Sequence, residues 1–257
     1  MIEWMAQKIL FMPELASSNG RRVDALIVYV HWLMVALFIG WTIYFGYALW
    51  RFNAKRNPKA EYEGSKSNLP KGIEVGVVVA EGILLFVIAM PIWAQNVEDF
   101  PDAKDSTVIQ VMAQQFAWNI RYPGPDGKFG RQDMKLISND NIFGVDPADP
   151  AGKDDIQMLN EIHVPVNKPV LIYLSSKDVI HSLKLVAMRL TQDAIPGLRI
   201  PCTFTPTKIG RYQIECAQLC GNGHAAMAGG FVVVQSQADF DTWLKSKSGA
   251  PAPSSFE

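Results

Sequence analysis

The chain is 257 residues long, with 49% hydrophobic residues and a formal net charge of −1. That length accommodates about one to two domains, and the even balance of charge points to no nucleic-acid partner. The apolar residues are unevenly spread, and their distribution points to a membrane.

From Ala25 to Trp50 there is no Asp, Glu, Lys or Arg, a run longer than the ~20 residues a helix needs to cross a bilayer. A transmembrane span is predicted there. The run is too long for a signal peptide and lacks a small-residue cleavage site. A second run, Ile73 to Trp93, is again long enough, although it carries Glu74 and Glu81. The two spans make a helical hairpin over residues 25–96, preceded by an N-terminal extracytoplasmic segment, residues 1–24. Between the spans lie Arg51, Lys55, Arg56, Lys59, Lys66 and Lys71, against Lys8, Arg21 and Arg22 before the first. Excess basic residues mark the cytoplasmic side. The Arg51–Gly72 loop is therefore expected in the cytoplasm, with both termini on the periplasmic or outer face of a bacterial plasma membrane. Trp50 and Trp93, at span ends, fit an interfacial aromatic belt, whereas Trp32 and Trp41 read equally well as packing. Glu74 and Glu81 are seven residues apart and share one helical face, and intramembrane carboxylates usually face a partner, a cavity or a proton path.

Beyond Glu98 the helical runs give way to short alternating segments. Val108–Met112, Glu161–Val166, Pro169–Leu174, Gly210–Glu215 and Gly230–Gln235 read as strands bounded by Gly, Pro, Asn or Asp. Residues 105–237 are expected to form a small all-β sandwich or Greek-key barrel, followed over 238–257 by a short helix around Asp239–Lys245 and a frayed tail. Pro123–Asp155 is the least regular stretch, rich in Gly, Pro and Asp, and loops of this length are usually functional or poorly ordered. Its acidic excess would suit a basic partner protein, or simply form a solvated face. Cys202 stands alone and is expected to be a small buried hydrophobe. His163, alternating with Ile162 and Val164, and His31, inside the first span, are expected to be packed or hydrogen-bonded rather than ligating.

The densest chemistry lies at Cys216-Ala-Gln-Leu-Cys220-Gly-Asn-Gly-His224-Ala-Ala-Met227, with His181 upstream in Asp178-Val-Ile-His181-Ser. Two thiolates, two imidazoles and a thioether form a soft donor set that selects copper over hard cations. A single blue-copper centre needs two His, one Cys and a long axial Met, so the second cysteine argues for two copper ions sharing two bridging sulfurs. A Cys216–Cys220 disulfide and a Cys2His2 zinc site are the rival readings. Neither explains Met227 at its offset or the Asp-Val-Ile-His flank.

This Cys-x3-Cys-x3-His-x2-Met pattern with its upstream Asp-Val-Ile-His resembles the dinuclear copper A centre of cytochrome c oxidase subunit II. The resemblance extends over nearly the whole chain, and it implies a cupredoxin fold after the transmembrane hairpin. It implies that Cys216 and Cys220 bridge both coppers, that His181 and Met227 complete one, and that His224 and the Gln218 carbonyl complete the other. It further implies an oxidoreductase subunit of a proton-translocating oxidase, taking electrons from cytochrome c and passing them to a haem-bearing catalytic subunit that works with other oxidase subunits. Gln114-Gln-Phe116-Ala-Trp118 occupies the place of the family's Trp-rich segment, whose first Trp receives electrons. That position is Phe116 here, and Trp118 follows on the same strand face if the segment is extended. Electron entry is expected through Trp118 or directly to a copper ligand, with core packing over the metal site the alternative for both rings. Glu74 matches the family's glutamate at the cytoplasmic mouth of one proton-uptake route, and Glu81 stands where the family often has proline. Between the cysteines the family usually has a glutamate that binds magnesium or manganese; Gln218 offers a neutral oxygen, which weakens a hard-dication site.

An electron shared through short thiolate bridges changes each bond length only slightly, so the centre suits a relay. Nothing in the motif resembles a catalytic base, and oxygen chemistry needs haem and copper held elsewhere. There is no Cys-x-x-Cys-His motif, hence no covalent c-type haem, and the donor haem belongs to another protein. The copper module of a nitrous oxide reductase would need a large histidine-rich domain, whereas the chain has 4 histidines. A membrane-tethered copper chaperone or sensor would favour fewer, more exposed ligands.

Overall fold

The structure is a computed structural model that describes residues 2–59, 62–64 and 66–248. The chain forms two compact units. One holds the N-terminal helix and the two long helices, and the other holds the β-rich remainder together with the short segment Pro13–Arg21.

In the helical unit, α1 (Ile2–Lys8) precedes α2 (Gly20–Arg51), and the second long helix, α3, runs Leu69–Glu98. At 1.5 Å per residue, the 32 residues of α2 extend about 48 Å, more than the ~30 Å hydrocarbon layer. Almost none of the most apolar stretch of either helix is buried within the chain, so lipid or other subunits must cover them. Pro70 sits in the first turn of α3, where its missing N–H costs nothing. Pro91 lies deeper, and there a proline crowds the carbonyl four residues back. Just before it, Ile83–Ala89 wind as a π-helix, with the Met90 N–H reaching the Leu85 carbonyl, and the wider turn absorbs the misfit. His31 is hydrogen-bonded through Nδ1 to the Ile27 carbonyl at 2.7 Å.

The β unit is a two-sheet Greek-key sandwich. Its strands are β1 (Thr107–Gln114), β2 (Ala117–Tyr122), β3 (Ile156–Leu159), β4 (Glu161–Pro165), β5 (Val170–Ser176), β6 (His181–Leu185), β7 (Leu190–Ala194), β8 (Ile200–Phe204), β9 (Gly210–Cys216) and β10 (Gly230–Gln235). One sheet is ordered β3-β2-β1-β5-β8 and the other β4-β10-β9-β6-β7. The chain repeatedly crosses between sheets, which leaves β1 parallel to β5 and β4 parallel to β10. Trp118, Ile120, Ile172, Leu183, Phe204 and Val232 fill the space between the sheets with no exposure. Cys202 is buried among them as an apolar side chain, and burial pushes its thiol up to about 12. The C-terminal α4 (Gln237–Lys247) is capped by Ser236, whose hydroxyl accepts from the Asp239 N–H at 3.1 Å. It docks through Trp243, which stacks on His163 with ring centroids 4.1 Å apart. The tail beyond Ser248 lies outside the described residues.

Two segments differ from what sequence patterning suggests. Pro13–Arg21 is tied to the sandwich: the Ala16 N–H donates to the Ala187 carbonyl at 2.8 Å, and the Thr207 N–H donates to the Ala16 carbonyl at 2.7 Å. The long 123–155 loop is organised by its own carboxylates. Asp155 forms a buried ion pair with Arg121 and also accepts from the Gly130 N–H at 3.1 Å. Asp149 accepts from the Arg131 N–H at 2.8 Å; that bond and one from Ala151 hold its carboxyl below the usual range. These aspartates shape the loop and are not simply a free acidic face.

Candidate metal centre

The centre forms at one end of the β6–β9 pair. Antiparallel pairing sets Leu183 opposite Cys216, so His181 at the start of β6 and Cys216 at the end of β9 emerge together. The ladder continues one step further through the Ala217 N–H, which donates to the Ser182 carbonyl at 2.9 Å. The chain then turns through Cys220 and Gly221, whose φ of +137° is a conformation L side chains rarely adopt. It enters a short 3-10 helix, His224–Gly229, that carries both His224 and Met227.

These turns bring the expected side chains together. The Cys216 and Cys220 sulfurs are 4.0 Å apart, and Cys220 Sγ lies 3.4 Å from both His224 Nδ1 and Met227 Sδ. His181 Nδ1 is 3.1 Å from Met227 Sδ, and Cys216 Sγ is 3.1 Å from the Gln218 carbonyl oxygen. His181, Cys220 and Met227 are buried, while Cys216 and His224 are half-buried. A sulfur separation of 4.0 Å is twice the ~2.05 Å of a disulfide. Two metal–sulfur bonds of about 2.3 Å span at most about 4.6 Å, so the gap suits an ion between the two sulfurs. The residues present fit a soft transition metal.

The surroundings fix the donors. Asp178 Oδ1 lies 2.9 Å from His181 Nε2, which leaves Nδ1 facing the thioether, the usual arrangement of a ligating imidazole held by a carboxylate. Burial works to raise the Asp178 carboxyl, but hydrogen bonds from the Gln115 N–H, His181 and the Val179 N–H outweigh it and hold it below the usual range. Burial and the neighbouring Cys216 thiol push Cys220 up to about 11. A bound cation is what turns such a thiol into a thiolate.

The aromatic pair falls in two environments. The strand begins at Ala117, so Phe116 lies in the hairpin turn rather than sharing a strand face with Trp118. Its ring is half-buried against the ligand loop, where a Cβ on Gly223 would come within 2.4 Å of it. Trp118 has no exposed surface. Its indole N–H donates to the Met227 carbonyl at 3.0 Å, and its ring meets His181 edge-on at 6.2 Å. Gln218 is exposed beside Leu219. Glu74 and Glu81 are exposed on α3, away from these donors in sequence. Sequence reasoning missed Gln115 and the positioning role of Asp178; the only local signal was an acid three residues before the histidine.

A sandwich carrying a soft thiolate–imidazole–thioether cluster, joined in sequence to two helices of membrane length, has the make-up of a membrane-bound metalloprotein. Residues 107–236 match the family model for the periplasmic domain of cytochrome c oxidase subunit II, and the chain belongs to that family. The alternative cytochrome c oxidase subunit 2 of Bradyrhizobium diazoefficiens is 31% identical over 230 residues, 89% of this chain and 81% of that one. Cytochrome c oxidase subunit 2 of Thermostichus vulcanus is 37% identical over 139 residues, covering 54% of this chain and 32% of the relative. The crystal structure of the periplasmic domain of Bradyrhizobium japonicum cytochrome oxidase subunit II shares 29% identity, with a TM-score of 0.42, over 57% of this chain and 95% of that one. The chain is thus a subunit of a haem–copper oxidase, an oxidoreductase. It is a membrane protein with a periplasmic domain, and its family implies copper A binding.

Proposed function

We propose that this subunit receives electrons from a cytochrome c-type donor at a dinuclear copper A centre and passes them to the haem-bearing subunit. The carrying observation is the convergence of both cysteine sulfurs, both imidazoles, the Met227 thioether and the Gln218 carbonyl at contacts of 3.1–4.0 Å. Cys216 and Cys220 would bridge two copper ions, with His181 and Met227 on one, and His224 and the Gln218 carbonyl on the other. Copper bound there supplies one-electron transfer. The chain's part is to hold the donors rigid: Asp178 orients His181, the Trp118 indole fixes the Met227 carbonyl, and burial excludes water from His181, Cys220 and Met227. A cage of five donor side chains, three of them buried, argues against a copper chaperone.

Half-buried Phe116 and exposed Leu219 lie at the surface by the ligand loop, and that is where a donor would dock. Trp118 is wholly buried and serves behind the centre. Gln218 brings a neutral amide where the family has a carboxylate, so a magnesium ion at the interface with the catalytic subunit would be weakly held through this residue. The basic excess of the Arg51–Gly72 loop supports placing that loop in the cytoplasm, with both termini on the periplasmic side. Exposed Glu74 would then sit near the cytoplasmic end of α3, facing the catalytic subunit at the start of a proton route.

The test is metal content and spin spectroscopy of the purified oxidase. Two coppers in this subunit, sharing one unpaired electron between near-equivalent nuclei, are expected. One copper per chain with a blue single-site spectrum would refute the dinuclear centre.

A further inference from the structure

The β1–β2 hairpin belongs to the sheet opposite the one that carries Cys216 and His181, yet its tip reaches the metal centre. The last register pair of the hairpin is Gln114 with Ala117, which frees the turn residues Gln115 and Phe116 from the ladder. The Gln115 side-chain amide donates to the Cys220 carbonyl at 2.6 Å, and its backbone N–H donates to Asp178 Oδ2 at 2.7 Å. Asp178 uses its other oxygen to hold His181. One residue therefore contacts both halves of the centre: the cysteine loop through its side chain and the histidine's carboxylate through its main chain. The ligand loop is shaped to receive it. A Cβ at Gly221 would meet Gln115 Nε2 at 2.9 Å and the Phe116 ring at 3.0 Å, and one at Gly223 would meet that ring at 2.4 Å.

We propose that Gln115 is a positioning residue that fixes the Cys220 backbone relative to His181, and so sets the separation between the donors on the two elements. The proposal rests on the copper reading of the site. Gln115 touches no donor atom; it acts through the Cys220 carbonyl and the Asp178 carboxylate. Partners that orient metal ligands in this way typically account for about 10–100-fold in metal affinity. Being exposed, Gln115 tolerates replacement without loss of the core.

The test uses the intact oxidase carrying Gln115→Leu, which keeps the side chain's bulk and the backbone N–H but removes the amide donor. Gln115→Glu, of equal length and also without the donor, serves as the second variant. Retention of copper against a chelator should weaken about 10–100-fold in both, the copper hyperfine pattern should change, and the copper midpoint potential should shift. Retention within about twofold of the parent, with an unaltered hyperfine pattern and potential, would overturn the proposal. A parent oxidase with a single-copper spectrum in this subunit refutes the dinuclear reading instead, while the retention ratio between parent and variants still decides the role of Gln115.

Discussion

Trp118→Phe separates the two roles open to this buried ring. The substitution keeps an aromatic side chain between the sheets but removes the N–H that the Met227 carbonyl accepts at 3.0 Å. Both groups are inaccessible to water, so the lost donor is not replaced, and an unsatisfied buried acceptor costs about 1–3 kcal/mol. For a domain of this size each 1 kcal/mol lowers the melting temperature by roughly 2–4 °C, which gives a fall of roughly 2–12 °C. Thermal unfolding of the metal-free chain, followed by near-ultraviolet circular dichroism, reads that fall. Because the carbonyl belongs to the residue that presents the thioether, the copper spectrum should change as well. The rate of reduction by the donor should change less than in Phe116→Leu, since Trp118 has no surface for a partner to touch. An unchanged melting temperature and copper spectrum, together with slowed reduction, would refute this reasoning and place Trp118 on the electron route.

Cys216→Ser and Cys220→Ser should each abolish the sharing of one electron between two coppers, as each sulfur would bridge both ions; a surviving two-copper spin signal in either variant contradicts the bridging assignment. Arg121→Met leaves the Asp155 carboxylate buried without its partner, a change that typically destabilises by about 3–5 kcal/mol. A loss below about 1 kcal/mol in urea unfolding would show that the 123–155 loop does not depend on the pair. In intact spheroplasts, protease should reach the sandwich and spare the Arg51–Gly72 loop, and the opposite pattern reverses the topology. Glu74→Gln should slow oxidase turnover at a proton-coupled step and leave copper reduction unchanged; unaltered turnover across a range of pH removes Glu74 from the proton route.

The spans were legible because a bilayer demands long uncharged runs, which local composition records directly. The cysteine loop was legible for a related reason: Cys216, Cys220, His224 and Met227 are neighbours in sequence, and their spacing carries their chemistry. Strands β2, β3, β6, β7 and β8 were not among the predicted ones, and β2 and β7 show why. Trp118-Asn-Ile-Arg-Tyr122 alternates apolar and polar residues, yet every residue of β2 is buried, Asn119 and Arg121 included: Asp155 of the 123–155 loop pairs with Arg121 over the polar face, which alternation alone would assign to solvent. In β7, the edge strand Leu190-Thr-Gln-Asp-Ala194, buried and exposed positions alternate only weakly with polarity. The π stretch of α3 had a visible cause in Pro91, but a one-residue widening of the helix leaves no mark on hydropathy. The attachment of Pro13–Arg21 to the sandwich depends on partners at Ala187 and Thr207, too distant in sequence for any local pattern to record.

The same distinction explains why the centre itself was only half readable. Three of its side-chain ligands follow Cys216 in one loop, but His181 arrives from another strand through the Leu183–Cys216 register, and its orientation is set by Asp178 and Gln115 from two further turns. A peptide spanning Cys216–Met227 holds the thiols without the geometry. The imidazole that faces the thioether is in place only once β6 has paired with β9, and the Cys220 carbonyl is held only once the opposite sheet has closed over the loop. The donor separations are therefore a property of the assembled sandwich, with both sheets needed to hold the site rigid before an ion enters it.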